Sequence, residues 1–126
     1  MTYKQHNENP EGKKTSDYVI RAIATALNKD WHDVALDLFH ISLTIPTSQT
    51  ATETYTEYLS EYETIPVKYE TLTGKKRYRI KDICGWKGIY IVSVANHLTC
   101  VKDGELLDTW DCSEKCAYKI WKVSRE

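Results

Sequence analysis

The sequence predicts an α+β fold, with helices first, the first of them buried, and then an antiparallel sheet of about four strands. Three observations predict it. Apolar residues recur at helical spacing between Asp17 and Tyr62, the period drops to two after Gly88, and Asp103-Gly104 marks a tight hairpin inside that second region. A chain of 126 residues has room for one core, so residues 1–126 read as a single domain.

Residues 1–16 are polar, carry Pro10 and Gly12, and read as an irregular lead-in. From Asp17 the run DYVIRAIATALNKD is apolar on nearly every face, which marks a helix buried all round. Asp17 or Ser16 suits its N-cap, and Asn28 its end. Asp30 caps a second helix, whose Trp31, Val34, Ala35, Leu38 and Ile41 keep the 3.6 period to about Leu43. Residues 44–52, with Pro46, form a polar loop. A third, more polar helix covers Glu53 to Glu61, with Tyr55, Tyr58, Leu59 and Tyr62 inward. Thr64 to Tyr69 reads as a short strand and Lys81 to Cys84 as one helical turn. Four strands follow: Ile89–Val94, His97–Val101, Glu105–Trp110 and Ala117–Val123.

Composition excludes some functions. A net charge of −1, from 17 basic and 18 acidic residues, offers no electrostatic basis for nucleic-acid binding. The densest basic cluster, Lys75-Lys76-Arg77, sits beside Gly74 and reads as a solvated turn. No apolar run approaches the roughly 20 residues of a membrane span, and the N-terminus lacks a signal-peptide core, so a cytoplasmic location is expected. The four cysteines are then expected to be reduced. Nine Tyr and four Trp against one Phe suit a partly polar core or a binding surface. The Tyr-rich residues 55–70 read mainly as inward packing, with a protein-binding face as the alternative.

The most informative stretch is HLTCVKDGELLDTW, residues 97–110. A two-residue type I′ turn at Asp103-Gly104 sets Val101 opposite Leu106, Thr99 opposite Asp108 and His97 opposite Trp110. Asp108 is then diagonal to His97 on one sheet face, roughly 7–8 Å away at Cα and within side-chain reach. A base oriented by an acid is two-thirds of a nucleophilic triad. Taken alone, the pair also suits an ordinary cross-strand polar contact. His6, His32 and His40 show no partner pattern, and Cys84 reads as a packing thiol.

NPEGKKTSDYVIRAIA at 9–24 and VSVANHLTCVKDGELLDTWDC at 92–112 resemble a group of small papain-like proteins of phages and Gram-positive bacteria. The resemblance spans most of the chain. It implies a papain-like fold in which the buried helix presents a cysteine nucleophile at its first turn. It further implies His97 as general base, Asp108 as its orienting acid and Trp110 as a shield. An upstream amide would serve as oxyanion donor, for which Asn9 and Asn7 are the candidates, with turn residues as the plainer reading. At the position where the group carries Cys, this chain has Tyr18. A phenol has a reference pKa near 10 against about 8.5 for a thiol, and its bulk fills the space of a substrate carbonyl. The expectation is a catalytically inactive scaffold that binds a protein or peptide, with Trp110 and Asn9 beside the cleft. The resemblance implies a phage-encoded host-takeover or counter-defence factor acting in the host cytoplasm. Two alternatives stand beside it. One is an active peptidase-like hydrolase or amidase that uses His97 and Asp108 with another nucleophile. The other is a zinc-stabilised module built on Cys112 and Cys116 with Cys100 and His97. No cofactor, nucleic acid or membrane partner is expected, and the oligomeric state is not legible.

Overall fold

The computed structural model describes residues 1–13 and 15–124. It is α+β: strand β1 (Thr2–Gln5), helices α1 (Tyr18–Leu27), α2 (Trp31–Thr44) and α3 (Thr52–Tyr58), then strands β2 (Glu63–Ile65), β3 (Lys68–Thr71), β4 (Gly74–Arg77), β5 (Ile89–Val94), β6 (His97–Lys102), β7 (Glu105–Asp108) and β8 (Lys119–Lys122). A 3-10 turn at Ile80–Ile83 precedes β5. Six strands form one sheet in the order β1-β7-β6-β5-β8-β2, and β3 and β4 form a separate hairpin. The four expected strands are thus the centre of a wider sheet.

The lead-in departs from expectation. Thr2–Gln5 pairs with β7, in parallel, with Thr2 opposite Glu105 and Gln5 opposite Asp108. The sheet is therefore mixed, not purely antiparallel. The sequence hides β1 because its residues are mostly exposed at a sheet edge, so no apolar alternation appears. Lys14, within that lead-in, lies outside the described residues. Elsewhere the differences are smaller. Pro66 has no N–H to give a ladder, and the expected strand at 64–69 divides there into β2 and β3. Lys75-Lys76-Arg77 belongs to β4, not to a turn. The helical stretch at 53–61 starts a residue earlier and ends at Tyr58. The strands expected to reach Trp110 and Val123 end at Asp108 and Lys122.

The period of two divides the core. On one face Ile91, Leu98, Cys100, Trp121 and Val123 pack against the helices, chiefly Ile20, Ile23 and Ala24 of α1, Val34 and Leu38 of α2, and Tyr55 of α3. On the other face Tyr90, Val92, Val101, Leu106 and Ile120 pack with Ile80, Ile83 and Cys112. Helix α1 is buried as expected, because its alanines let the backbone approach β6 closely. It ends at Asn28, held at φ 51 and ψ 49, a left-handed cap that Asn tolerates. Asp30 caps α2, its carboxylate accepting from the His32 and Asp33 N–H groups at 2.9 and 3.3 Å.

Candidate functional site

The β6–β7 hairpin has the register expected from Asp103-Gly104. Val101 lies opposite Leu106 and Cys100 opposite Leu107. Asp103 and Gly104 have φ of 49° and 80°, as a type I′ turn demands. The tip is also crowded, since a Cβ on Gly104 would lie 2.1 Å from the Cys84 carbonyl oxygen. One register step further on, Thr99 donates to Asp108 Oδ2 at 2.6 Å, and His97 Nε2 lies 2.6 Å from the same oxygen. The Thr109 N–H donates to Oδ1 at 2.6 Å.

Burial alone would raise the Asp108 carboxyl pKa. The hydrogen bonds from His97, Thr99 and Thr109, with the attraction of His97, override it and hold the group below its ordinary value. An ionised Asp108 only accepts, so His97 donates through Nε2. In the neutral ring Nδ1 then carries the lone pair, and this nitrogen has no partner among the described residues. The geometry leaves a basic nitrogen free on an oriented imidazole. Two aromatics flank that ring. Tyr18 lies with its centroid 5.1 Å away, and Trp110 packs edge-on at 5.0 Å.

Tyr18 is the first residue of α1, and the network around Asp17 places it. Asp17 occupies the N-cap position, yet its side chain makes no capping bond. It is buried and accepts instead from Asn9 Nδ2 at 3.1 Å and Trp31 Nε1 at 2.9 Å. Arg21 Nε lies 2.9 Å from the other oxygen, but the N–H is not aimed at it, so charge holds this pair. Burial would raise the Asp17 pKa; bonds from Asn9, Trp31 and Thr15 and the Arg21 charge keep it low. Arg21 also donates from Nη1 to Thr109 Oγ1 at 2.7 Å. One arginine therefore links the start of α1 to the residue that follows Asp108.

The structure brings Tyr18, His97, Asp108 and Trp110 together and leaves Asn9 apart from them. The Asn9 amide nitrogen donates to Asp17, and its oxygen accepts from the Glu11 and Lys13 N–H groups. Asn7 likewise bonds within the same turn. Cys100 is buried against the helices, and burial pushes its thiol up to about 12. Cys84 is exposed and so is no packing thiol. His6, which showed no partner pattern, lies 2.6 Å from Glu8.

Arg21, Thr99 and Thr109 were missed as site residues, and Cys112 was expected only as a zinc ligand. Of the three missed, Thr99 alone carried a signal, its register opposite Asp108. Cys112 is 1% exposed, and its sulfur lies within 4.8 Å of the His97 and Asp108 donor atoms. Burial, then the Asp108 charge, pushes that thiol up to about 12. The three donors fit a hydrogen-bonded cluster better than a metal. Two ligands on one tetrahedral zinc stand roughly 3.3 Å apart, whereas His97 and Asp108 are 2.6 Å apart. Of the four cysteine and histidine residues expected around zinc, Cys100 lies on the other face of the sheet and Cys116 is exposed.

A cleft of about 550 Å³ opens beside the pair, bordered by Tyr18 and His97, by Thr50, Thr52 and Thr56, and by the Ser93–Asn96 turn with Lys119. Asp108 and Trp110 touch His97 but do not border the cleft, and neither does Asn9. No helix is long and apolar enough to cross a membrane among the described residues. Comparisons with protein-family models, curated proteins and solved structures find no match to this chain.

Proposed function

We propose that this chain has a papain-like scaffold of the cysteine-hydrolase type. Within that class it is a binding protein that has lost hydrolysis and holds a peptide or protein segment in the cleft beside Tyr18 and His97. The observation that carries the reading is the imidazole held by Asp108 at 2.6 Å, with its ring against the first residue of a buried helix. That is the order and placement of base, acid and nucleophile in papain-like hydrolases. The residue at the nucleophile position is a phenol. The two buried thiols, Cys100 and Cys112, are pushed up to about 12, far from the thiolate such chemistry needs. The setting we attach is that of a phage-encoded factor engaging a host protein in the host cytoplasm.

Tyr18→Cys tests it. A thiol at that position gains from the helix N-terminus and from His97 as proton acceptor. The variant should react with iodoacetamide at pH 6 much faster than any native cysteine, the exposed Cys84 and Cys116 included, and His97→Ala should abolish the gain. Native protein should leave generic peptide substrates intact. An introduced thiol no faster than that of Cys84 would end the reading. Peptide cleavage by native protein that His97→Ala removes would establish an active hydrolase instead.

A further inference from the structure

We infer that the cleft beside Tyr18 and His97 selects an acidic peptide, with Lys119 as the group that reads its carboxylate. The inference rests on the peptide-binding reading above and adds the chemistry of what is bound.

Charge distribution is the first ground. Among the described residues no Asp or Glu lines this cleft, and His97 and Lys119 are the only Lys, Arg or His residues that do. The contrast is with the cavity of about 730 Å³ between α1, α2 and α3, where Asp37, Glu57 and Glu61 face Lys29 and His40. There the positive charge is already spent, since Lys29 pairs with Asp37 and accordingly has a raised pKa. Lys119 is unspent. It is half-buried at the start of β8, opposite Ser93, and its ammonium sits 5.1 Å from the centre of the Trp121 ring. It has no carboxylate partner among the described residues. A second cation stands nearby, because Arg77 lies 5.4 Å over the ring of Tyr118, which also borders the cleft.

Hydrogen-bonding capacity is the second ground. The hydroxyls of Thr50, Thr56 and Ser93 make no hydrogen bond among the described residues, and neither does the Tyr18 phenol. A bound chain offers carbonyl and carboxylate oxygens to such donors. A charge-assisted bond from a partly desolvated ammonium is about twice as strong as a neutral one. An acidic residue at Lys119 therefore gains more than its amide would, since among the described residues no carboxylate borders the cleft and the Asp108 charge is already paired with His97.

Four probes test this by protein amide NMR titration in 0.15 M salt. Three are capped alanine pentapeptides: one with a central glutamate, one with a central glutamine, and one uncapped at its C-terminus. The fourth is a thymidine pentanucleotide. The glutamate peptide should bind roughly tenfold more tightly than the glutamine one, a difference of about 1.4 kcal/mol. Its shifts should centre on Ala95, Asn96 and Lys119. Lys119→Met should erase the difference while leaving the weaker binding, and Lys119→Arg should keep it. Preference for the uncapped peptide would place the carboxylate at a chain terminus, preference for glutamate in a side chain. Equal binding of the glutamate and glutamine peptides overturns the acidic preference and leaves peptide binding standing. Tighter binding of the oligonucleotide overturns the inference as well. If no peptide shifts the cleft, the peptide-binding reading fails, and this inference with it.

Discussion

Asp108 is the residue on which the site's geometry turns. Three donors converge on it, from a neighbouring strand, from the following residue and from the imidazole, and each favours the ionised form. Its folded pKa lies below the unfolded value near 4. The stability it contributes is therefore fully present above about pH 4 and is lost as pH falls through the folded value. Asp108→Asn should cost about 2 kcal/mol at pH 7, because an amide cannot accept from all three donors. It should also flatten the loss of stability between pH 5 and pH 2, measured by urea unfolding. A slope unchanged from the native protein would mean that Asp17, held low in the same way, carries the whole acid response. Arg21 acts at the same scale. It joins Asp17 to Thr109, so the start of α1 and the end of the β6–β7 hairpin are tied by one shared side chain.

Among the elements, the β6–β7 hairpin was the most legible. Asp-Gly fixes a two-residue turn, the turn fixes the register, and the register sets Thr99 and Asp108 side by side. Gly104 answers two demands, a positive φ and the close approach of Cys84. Gly104→Ala should therefore cost about 1–3 kcal/mol in chemical unfolding, the range for a strained backbone position. A neutral result would show that the Cys84 segment moves away freely. Helix α1 was equally legible, because it is apolar all round. What escaped was long-range. Strand β1 pairs with a partner at the other end of the chain and is polar, so neither local propensity nor period marks it. Asp17 reads as a cap in any local argument, and only Trp31 and Asn9 reveal its other use. The burial of Cys112 beneath the His97–Asp108 pair follows from the path of the chain after β7, for which residues 109–112 give no pattern.

At the scale of the molecule, the sheet separates two apolar clusters, one under the helices and one beneath the opposite face. Ile23 is fully buried in the first and Ile83 nearly so in the second. Truncation of either to alanine should cost about 2–5 kcal/mol. Because the two lie in separate clusters on opposite faces of the sheet, the double variant should lose the sum to within about 0.5 kcal/mol. Strong coupling in equilibrium unfolding would mean that the sheet transmits repacking from one face to the other. The His97–Asp108 pair belongs to neither cluster and stands at the seam where α1 meets the end of β6.

The parallel pairing of β1 with β7 sets an order in time. The Tyr3 hydroxyl donates to the Asp108 carbonyl across 105 positions of chain, and the His6 N–H reaches the same carbonyl at 2.8 Å. At a synthesis rate of about 5–20 residues per second, the first strand waits roughly 5 to 20 s for its partner to be made. During that interval the three helices can form, but the acid that orients the imidazole does not yet exist. The site is therefore among the last parts of the protein to be assembled. A chain that stops short of β7 would hold His97 beside Tyr18 with no Asp108 to orient it.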